Sequence, residues 1–158
     1  MSKYLKIIIV VGGCLLVGYL SSLVTIESIN TWYPTLKKPF FNPPNAIFAP
    51  VWSVLYILMG IAGGLIWDKF EIDKELVKKG MFFFVAQLLL NAFWSYLFFG
   101  LHNILLALIE IILLGLIIYE TYLIFRKIDK MASLLLIPYL LWVSFATVLA
   151  FSIYILNF

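Results

Sequence analysis

The chain has 158 residues, of which 65% are hydrophobic and 12% are charged, with a formal net charge of +3. A soluble domain contains about 45–50% apolar and about 25% charged residues, and a core of this size cannot bury so much apolar surface. The composition therefore excludes a soluble globular domain, and the small, scattered charge gives no indication of nucleic-acid binding. We expect an all-α integral membrane protein whose main solvent is the lipid bilayer.

Five apolar segments are long enough to cross a bilayer, which takes about 20 residues per helix. They occupy residues 5–26, 46–67, 81–100, 104–125 and 133–156. Because they use most of the chain, we expect a single five-helix transmembrane domain over residues 1–158. Only His102 and Asn103 separate the third and fourth segments, so these helices should be antiparallel neighbours.

Residues 27–45 form a connection rich in proline and aromatic residues, with Pro34, Pro39, Pro43 and Pro44 preventing a regular helix. A long loop of this kind is typically a functional lid or disordered, and this one is too apolar for disorder. One interpretation is an extramembrane lid over the mouth of the bundle, with Lys37 or Lys38 available to an anionic ligand group. The alternative is an interfacial aromatic belt with snorkelling lysines.

Orientation follows from the distribution of lysine and arginine, because cytoplasmic loops of membrane proteins carry an excess of both. Nine of the 11 lie on the side of the N-terminus: Lys3, Lys6, Lys69, Lys74, Lys78, Lys79, Arg126, Lys127 and Lys130. The opposite side has only Lys37 and Lys38. This asymmetry predicts an N-terminus in the cytoplasm and a C-terminus outside.

Three segments place distinctive residues on one face at helical spacing, and polar side chains within lipid should turn inward. The second segment contributes Trp52, Tyr56, Met59 and Gly63; the third Gln87, Asn91, Trp94, Ser95 and Phe98; the fifth Pro138, Trp142, Phe145, Ala146 and Leu149. An aromatic-walled cavity with one or two amides would suit a large, flat, hydrophobic ligand. The alternative is that these faces serve only interhelical packing and hydrogen bonding.

Glu110 lies within the fourth segment, and no segment contains a basic residue to pair with it. An unpaired carboxylate in the membrane is costly, so we expect a neutral or hydrogen-bonded side chain facing an inward partner. Glu110 is thus either a polar structural anchor or part of a functional site. Conventional metal or hydrolytic chemistry is not indicated, because His102 and Cys14 are each the only residue of their type. No cofactor is predicted.

The sequence resembles the translocator protein family, also called tryptophan-rich sensory proteins (TspO/MBR) or peripheral-type benzodiazepine receptors. The resemblance covers nearly the whole chain and is to a bacterial-type member. It therefore implies a location in a bacterial cell membrane. It is carried by Trp32-Tyr33, Leu36, Lys38-Pro39, Pro43-Pro44, Phe48, Pro50-Val51-Trp52, Tyr56, Asn91, Trp94-Ser95, Phe98-Phe99, Ala107, Glu110, Leu134-Leu135, Pro138-Tyr139, Trp142, Phe145-Ala146-Thr147 and Asn157.

The resemblance implies a five-helix bundle, usually a homodimer, with a cavity under the first loop. It implies binding of protoporphyrin IX and of benzodiazepine-type and isoquinoline carboxamide ligands, as well as light- and oxygen-dependent porphyrin degradation in some bacterial members. The ligand-binding residues it implies are Tyr33, Pro43, Trp52, Tyr56, Asn91, Trp94, Phe98, Trp142, Phe145 and Ala146. Within this set, Trp52 and Trp142 are the candidates for the photochemistry.

Two departures from the family pattern limit what the resemblance implies. Ala150 stands where many relatives have asparagine, which removes one polar group from the fifth segment. No basic residue follows Tyr154, so the sterol-recognition pattern of mammalian relatives is absent and cholesterol binding is doubtful.

The function expected from the sequence is that of a membrane receptor or scavenger for tetrapyrroles, in which enzymatic porphyrin breakdown is an open question. The rival is a small oligomeric proton-coupled transporter that uses Glu110, because intramembrane acids often mark transport pathways.

Overall fold

The computed structural model describes all residues from Met1 to Phe158 and contains helices but no strands. The helices are α1 (Lys3–Thr31), α2 (Asn45–Asp68), α3 (Lys74–Ser95), α4 (Ile104–Ile128), α5 (Lys130–Leu135) and α6 (Ile137–Asn157). A π-helical turn, Tyr96–Gly100, continues α3, and a short 3₁₀ turn, Tyr33–Thr35, follows α1. Counting α3 with its π-turn and α5 with α6, five helical spans are long and apolar enough to cross a membrane. The all-α five-helix prediction is confirmed.

Helices α1 and α2 pack most closely at the end of the bundle where the chain begins, which we call the basic end. The backbone of Val11 approaches Gly60 so closely that no Cβ would fit there, and the same holds for Ile7 at Gly64. Small residues allow such approaches between membrane helices, which gain contacts over the whole length of the interface. The Lys6 ammonium and the Asp68 carboxylate, 3.1 Å apart, join the same two helices.

Helices α3 and α4 are antiparallel and joined by a tight connection, as predicted. The Asn103 side chain accepts a hydrogen bond from the backbone N–H of Leu106 and so caps α4, at 3.0 Å. His102 adopts a positive φ of 54°, which lets the chain reverse between the two helices. Its ring stacks on Trp32 at the end of α1, with centroids 4.2 Å apart.

Several helix boundaries differ from the sequence expectation, including the start of α3, which lies at Lys74 rather than at residue 81. Helix α1 continues to Thr31, so residues 27–31 are helical rather than part of the loop. The fifth span is interrupted at Leu136, and Pro138 lies in the first turn of α6. A proline costs little there, because the first turn of a helix has no intrahelical partner for its N–H groups.

Candidate functional site

A cavity of about 540 Å³ lies between the helices at the end of the bundle opposite the basic end, which we call the lid end. Residues 32–44, which we call the lid, connect α1 to α2 at this end. Most of the lining is hydrophobic, and all the long helices contribute to it. A pocket of this size and character suits a drug-sized apolar ligand, since such sites measure about 300–1,000 Å³.

Eight of the ten predicted ligand-binding residues line this cavity: Tyr33, Trp52, Tyr56, Asn91, Trp94, Phe98, Trp142 and Ala146. The other two, Pro43 and Phe145, do not line it. Phe145 lies just behind the wall, with its ring centroid 5.5 Å from that of Trp142 and 6.2 Å from that of Phe41. The structure therefore brings residues from the lid, α2, α3 with its π-turn, and α6 to one cavity.

A buried chain of hydrogen bonds crosses the bundle beside the cavity. The Tyr56 hydroxyl donates to Asn91 Oδ1 at 2.9 Å, and Asn91 Nδ2 donates to the Tyr139 hydroxyl at 2.8 Å. The Trp52 ring packs against both tyrosines, with centroids 5.7 Å from Tyr56 and 6.3 Å from Tyr139. This chain joins α2, α3 and α6 and gives the apolar cavity a defined polar wall.

The inward face expected for the fifth span is partly wrong. Pro138 is exposed and lies on a shallow external groove with Pro50 and Leu58. Its neighbour Tyr139 is buried instead and completes the hydrogen-bond chain. Tyr139, Val143 and Ala150 recur at i, i+4 and i+11 of α6 and are all buried, so the interior face of the helix lies one residue away from the predicted one.

Sequence reasoning also missed the contribution of α1 to the site. Ser21, Ser22 and Thr25 line the cavity, and each hydroxyl donates to a carbonyl of its own helix. The signal in the sequence was a cluster of hydroxylated residues within an otherwise apolar span. Such residues commonly bond to the preceding turn, so they add a polar stripe without leaving unpaired donors.

Glu110 and Gln87 are buried in the bundle but do not line the cavity. Neither carboxyl oxygen of Glu110 has a hydrogen-bond partner within the protein, and the amide of Gln87 has none either. The inward partner expected for Glu110 is therefore not found. Buried polar groups without partners are uncommon, and each calls for a structural or functional explanation.

The lid is held by hydrogen bonds of its own. Lys38 donates from Nζ to the carbonyl oxygens of Tyr33 and Leu36, at 2.9 and 3.1 Å. Neither Lys37 nor Lys38 lines the cavity, so the expectation that one of them meets an anionic ligand group is not supported. Asn157 at the end of α6 clamps the lid, accepting from the Lys37 N–H at 3.0 Å and donating to its carbonyl at 2.9 Å.

Tyr33 links the lid to the cavity, because its side chain lines the cavity while its hydroxyl donates to Asn42 at 2.9 Å. Burial raises the pKa of the Tyr33 phenol, and the hydrogen bond to Asn42 partly opposes this rise. A raised folded-state pKa means that the phenol remains protonated throughout the physiological pH range. Its bond to Asn42 is lost only as the pH rises through that raised pKa, so this part of the lid should be insensitive to pH near neutrality.

The structure contains no group of three or more His, Cys, Asp or Glu residues placed to hold a metal ion. The side chains that line the cavity supply aromatic rings, one buried amide and several hydroxyl groups. Aromatic rings bind flat apolar molecules through their faces and edges, and the indole groups of Trp52 and Trp142 are also readily oxidised.

Comparison with known proteins gives a consistent assignment. The sequence matches the TspO/MBR family over residues 10–156. It is 43% identical to the tryptophan-rich protein TspO of Chlorobaculum tepidum, over 98% of each chain. It is 42% identical to the tryptophan-rich protein TspO of Archaeoglobus fulgidus, over 97% of each chain, and 33% identical to the translocator protein of Sus scrofa, over 87% of this chain and 81% of that one. This chain is an integral membrane protein that belongs to the TspO/MBR family.

Proposed function

We propose that the protein binds a tetrapyrrole, protoporphyrin IX, in the cavity beneath the lid. The observation that carries this proposal is the cavity itself, about 540 Å³ of largely apolar space walled by aromatic side chains. A flat, conjugated macrocycle would bury its faces against these rings, while its polar edge would lie toward the hydroxyl groups of α1 or the amide of Asn91. Benzodiazepine-type and isoquinoline carboxamide ligands would occupy the same space.

We also propose that light drives the loss of bound porphyrin, with Trp52 and Trp142 as the reacting residues. Both indoles line the cavity, Trp52 from α2 and Trp142 from α6. An indole beside an excited porphyrin would transfer one electron to it, leaving a tryptophan radical cation and a porphyrin radical anion. Dissolved oxygen would take this electron from the porphyrin radical anion and become superoxide. Superoxide would then add to the porphyrin macrocycle, and one electron would return from the adduct to the tryptophan radical cation, so that one porphyrin and one dioxygen are consumed and the tryptophan is restored.

The experiment that tests both proposals is a titration of protoporphyrin IX into the purified protein, followed by tryptophan quenching and then by porphyrin absorbance under illumination. We expect saturable quenching, and light-driven porphyrin loss that falls sharply in the double variant Trp52→Phe, Trp142→Phe. Trp67→Phe is the matched control, because Trp67 does not line the cavity. Saturable binding without light-driven loss would leave a receptor or carrier, and the absence of saturable binding would overturn the proposal.

The proposal extends to assembly and orientation. We propose that the protein lies in a bacterial cell membrane with its N-terminus in the cytoplasm. The excess of Lys and Arg at the basic end supports this orientation. We also propose that it forms a homodimer. The support for a second copy is a face of α1 that no other helix covers: a Cβ added at Gly12 or Gly13 would meet nothing within 4 Å, and Ile9 and Leu16 nearby are exposed. Cholesterol is not proposed as a ligand, because no basic residue follows Tyr154.

Transport coupled to Glu110 is the second candidate, and its support is the buried carboxyl group without a partner. Against it, Glu110 lies outside the cavity lining, so a ligand in the cavity would not touch it. The variant Glu110→Gln separates the two functions. Normal porphyrin binding together with abolished substrate flux in vesicles would favour transport, whereas unchanged flux would dismiss it.

A further inference from the structure

The cavity has a side opening, and the exposure of its lining residues shows where. Its exposed lining residues all belong to α1 or to α2: Leu15, Tyr19, Ile26, Asn45, Ala49 and Ser53. Every lining residue from α3, from α4 and from α6 is buried or half-buried. The cavity therefore opens between the lid-end halves of α1 and α2, through a gap that we call the slot.

The slot is closed toward the basic end. A Cβ added at Gly18 would lie 2.5 Å from Tyr56 Cε2, so α1 and α2 are in tight contact at this level. Below it, the contacts at Gly60 and Gly64 and the Lys6–Asp68 ion pair hold the helices together. Because α1 and α2 meet at the basic end and separate toward the lid end, they leave a wedge-shaped gap at the same level of the bundle as the cavity.

The lid, in contrast, closes the route from the aqueous side. Asn157 of α6 binds the lid backbone at Lys37 through two hydrogen bonds, and a hydrogen bond from Tyr33 to Asn42 connects two parts of the lid itself. The lid also packs onto the bundle, where Trp32 contacts Phe98 edge-on at 5.4 Å and stacks on His102. Opening this mouth requires several of these contacts to break together.

We propose that the slot is the route by which a flat, amphiphilic ligand passes sideways between the lid-side half of the bilayer and the cavity. This inference rests on the proposed function, since it requires that the cavity binds such a ligand. An apolar ligand dissolved in lipid would reach the site without exposing its apolar surface to water, which passage through the lid would require. The hydroxyl groups along the slot belong to Ser22, Thr25 and Ser53, and each donates to a carbonyl of its own helix. Because these donors are already satisfied, an apolar ligand that passes them leaves no hydrogen bond broken.

The test uses the full chain in lipid vesicles, with protoporphyrin IX as the probe and stopped-flow tryptophan quenching as the signal. Protein-free vesicles give the rate of partitioning into the bilayer. The blocking variant is Ser53→Phe, and its matched control is Val54→Phe, the adjacent exposed residue that does not line the cavity. The opposite wall provides a second pair, Ser22→Phe with Leu23→Phe as its control.

We expect both blocking variants to slow association and dissociation together, by about tenfold or more, because an added ring must be displaced for the ligand to pass. The two controls should stay within about twofold of the unmodified protein, as for ordinary surface substitutions. Asn157→Ala, which releases the clamp on the lid, should also leave association within about twofold.

Each other outcome overturns one statement. Failure of the unmodified protein to bind porphyrin overturns the proposed function, and the slot with it. Normal binding with association rates in both blocking variants equal to their controls overturns the slot alone. Faster dissociation with unchanged association means that the added ring disturbs the bound ligand, which also overturns the slot. Markedly faster association in Asn157→Ala identifies the lid as the route.

Discussion

The two ends of the bundle are built differently from the same helices. At the basic end, glycines of α2 admit the backbone of α1, and buried apolar side chains such as Ile66 and Val77 fill the remaining space. At the lid end, the facing positions carry tryptophan, tyrosine and asparagine, and the helices enclose a cavity. Because lipid is as apolar as the side chains, close packing and hydrogen bonds rather than hydrophobic burial drive helix association in a membrane.

The difference shows that side-chain size and polarity at a few facing positions decide between a closed and an open interface. Small residues draw two helices into backbone contact, whereas large rings hold them apart. The buried Tyr56–Asn91–Tyr139 chain then stabilises the open end without filling it. A tightly packed base can in this way support a hollow site in a bundle of only 158 residues.

The largest expected effect comes from breaking the closed end. Gly60→Ala places a methyl group against the backbone of Val11, which cannot move aside as a flexible side chain could. We expect a loss of about 3 kcal/mol in the free energy of unfolding, the upper part of the range for overpacking. Thermal unfolding in detergent, followed by circular dichroism, measures it.

Gly12→Ala is the matched control for that substitution, because a Cβ added at Gly12 would meet nothing within 4 Å outside its own helix. Alanine is the better helix former, so this variant should be neutral or more stable by about 0.5–1 kcal/mol. Equal destabilisation by the two substitutions would show that the contact at Gly60 is not what closes the base.

The second largest loss of stability is expected at the lid end of the bundle, from Asn91→Leu. This substitution leaves the hydroxyls of Tyr56 and Tyr139 without their shared partner, at an expected cost of about 1–3 kcal/mol. The same thermal measurement applies, with porphyrin titration beside it. Tyr56→Phe removes a single hydrogen-bond donor and should lower the free energy of unfolding by about 1 kcal/mol. If Tyr56→Phe were more destabilising than Asn91→Leu, Asn91 would not be the shared partner that holds the chain of hydrogen bonds together.

Glu110→Leu should change stability in the opposite direction. The variant removes two buried oxygens without partners and replaces them with apolar atoms, so we expect a gain of about 1 kcal/mol in the free energy of unfolding. The midpoint of thermal unfolding should rise. A fall in that midpoint would mean that the carboxyl group has a stabilising partner, such as an internal water molecule.

The smallest effect is expected at the Lys6–Asp68 ion pair, which lies at the rim of the closed end and is only partly shielded from solvent. Lys6→Ala should cost less than about 1 kcal/mol, and salt should weaken the difference by screening. Unfolding midpoints at low and high salt measure it, with the exposed Lys3→Ala as control. A larger loss that persists in high salt would show that the pair holds the base together by itself.

Several parts of the site could be predicted from the sequence because their physical constraint is local. Asn91, an amide within an apolar span, had to face the interior. Trp94, one turn further along α3, and Phe98, two turns further in the π-helical turn, followed from helical periodicity. The roles of Tyr139 and of the α1 hydroxyls could not be predicted in this way. They depend on which face of α6 and which face of α1 turn toward the other helices, and this is set by packing between distant parts of the chain.

The sequence by itself determined that the protein lies in lipid, that it has five membrane-spanning segments, and which family it belongs to. Apolar length, proline positions and motif residues are properties of the chain alone, and lipid requires each span to satisfy its own backbone hydrogen bonds as a helix. Only the tertiary structure decided that Pro43, Phe145 and Lys38 stay outside the cavity, that Glu110 lacks a partner, and that the slot opens between α1 and α2. These features depend on distances between helices, which are set by the summed packing of side chains from separate parts of the chain.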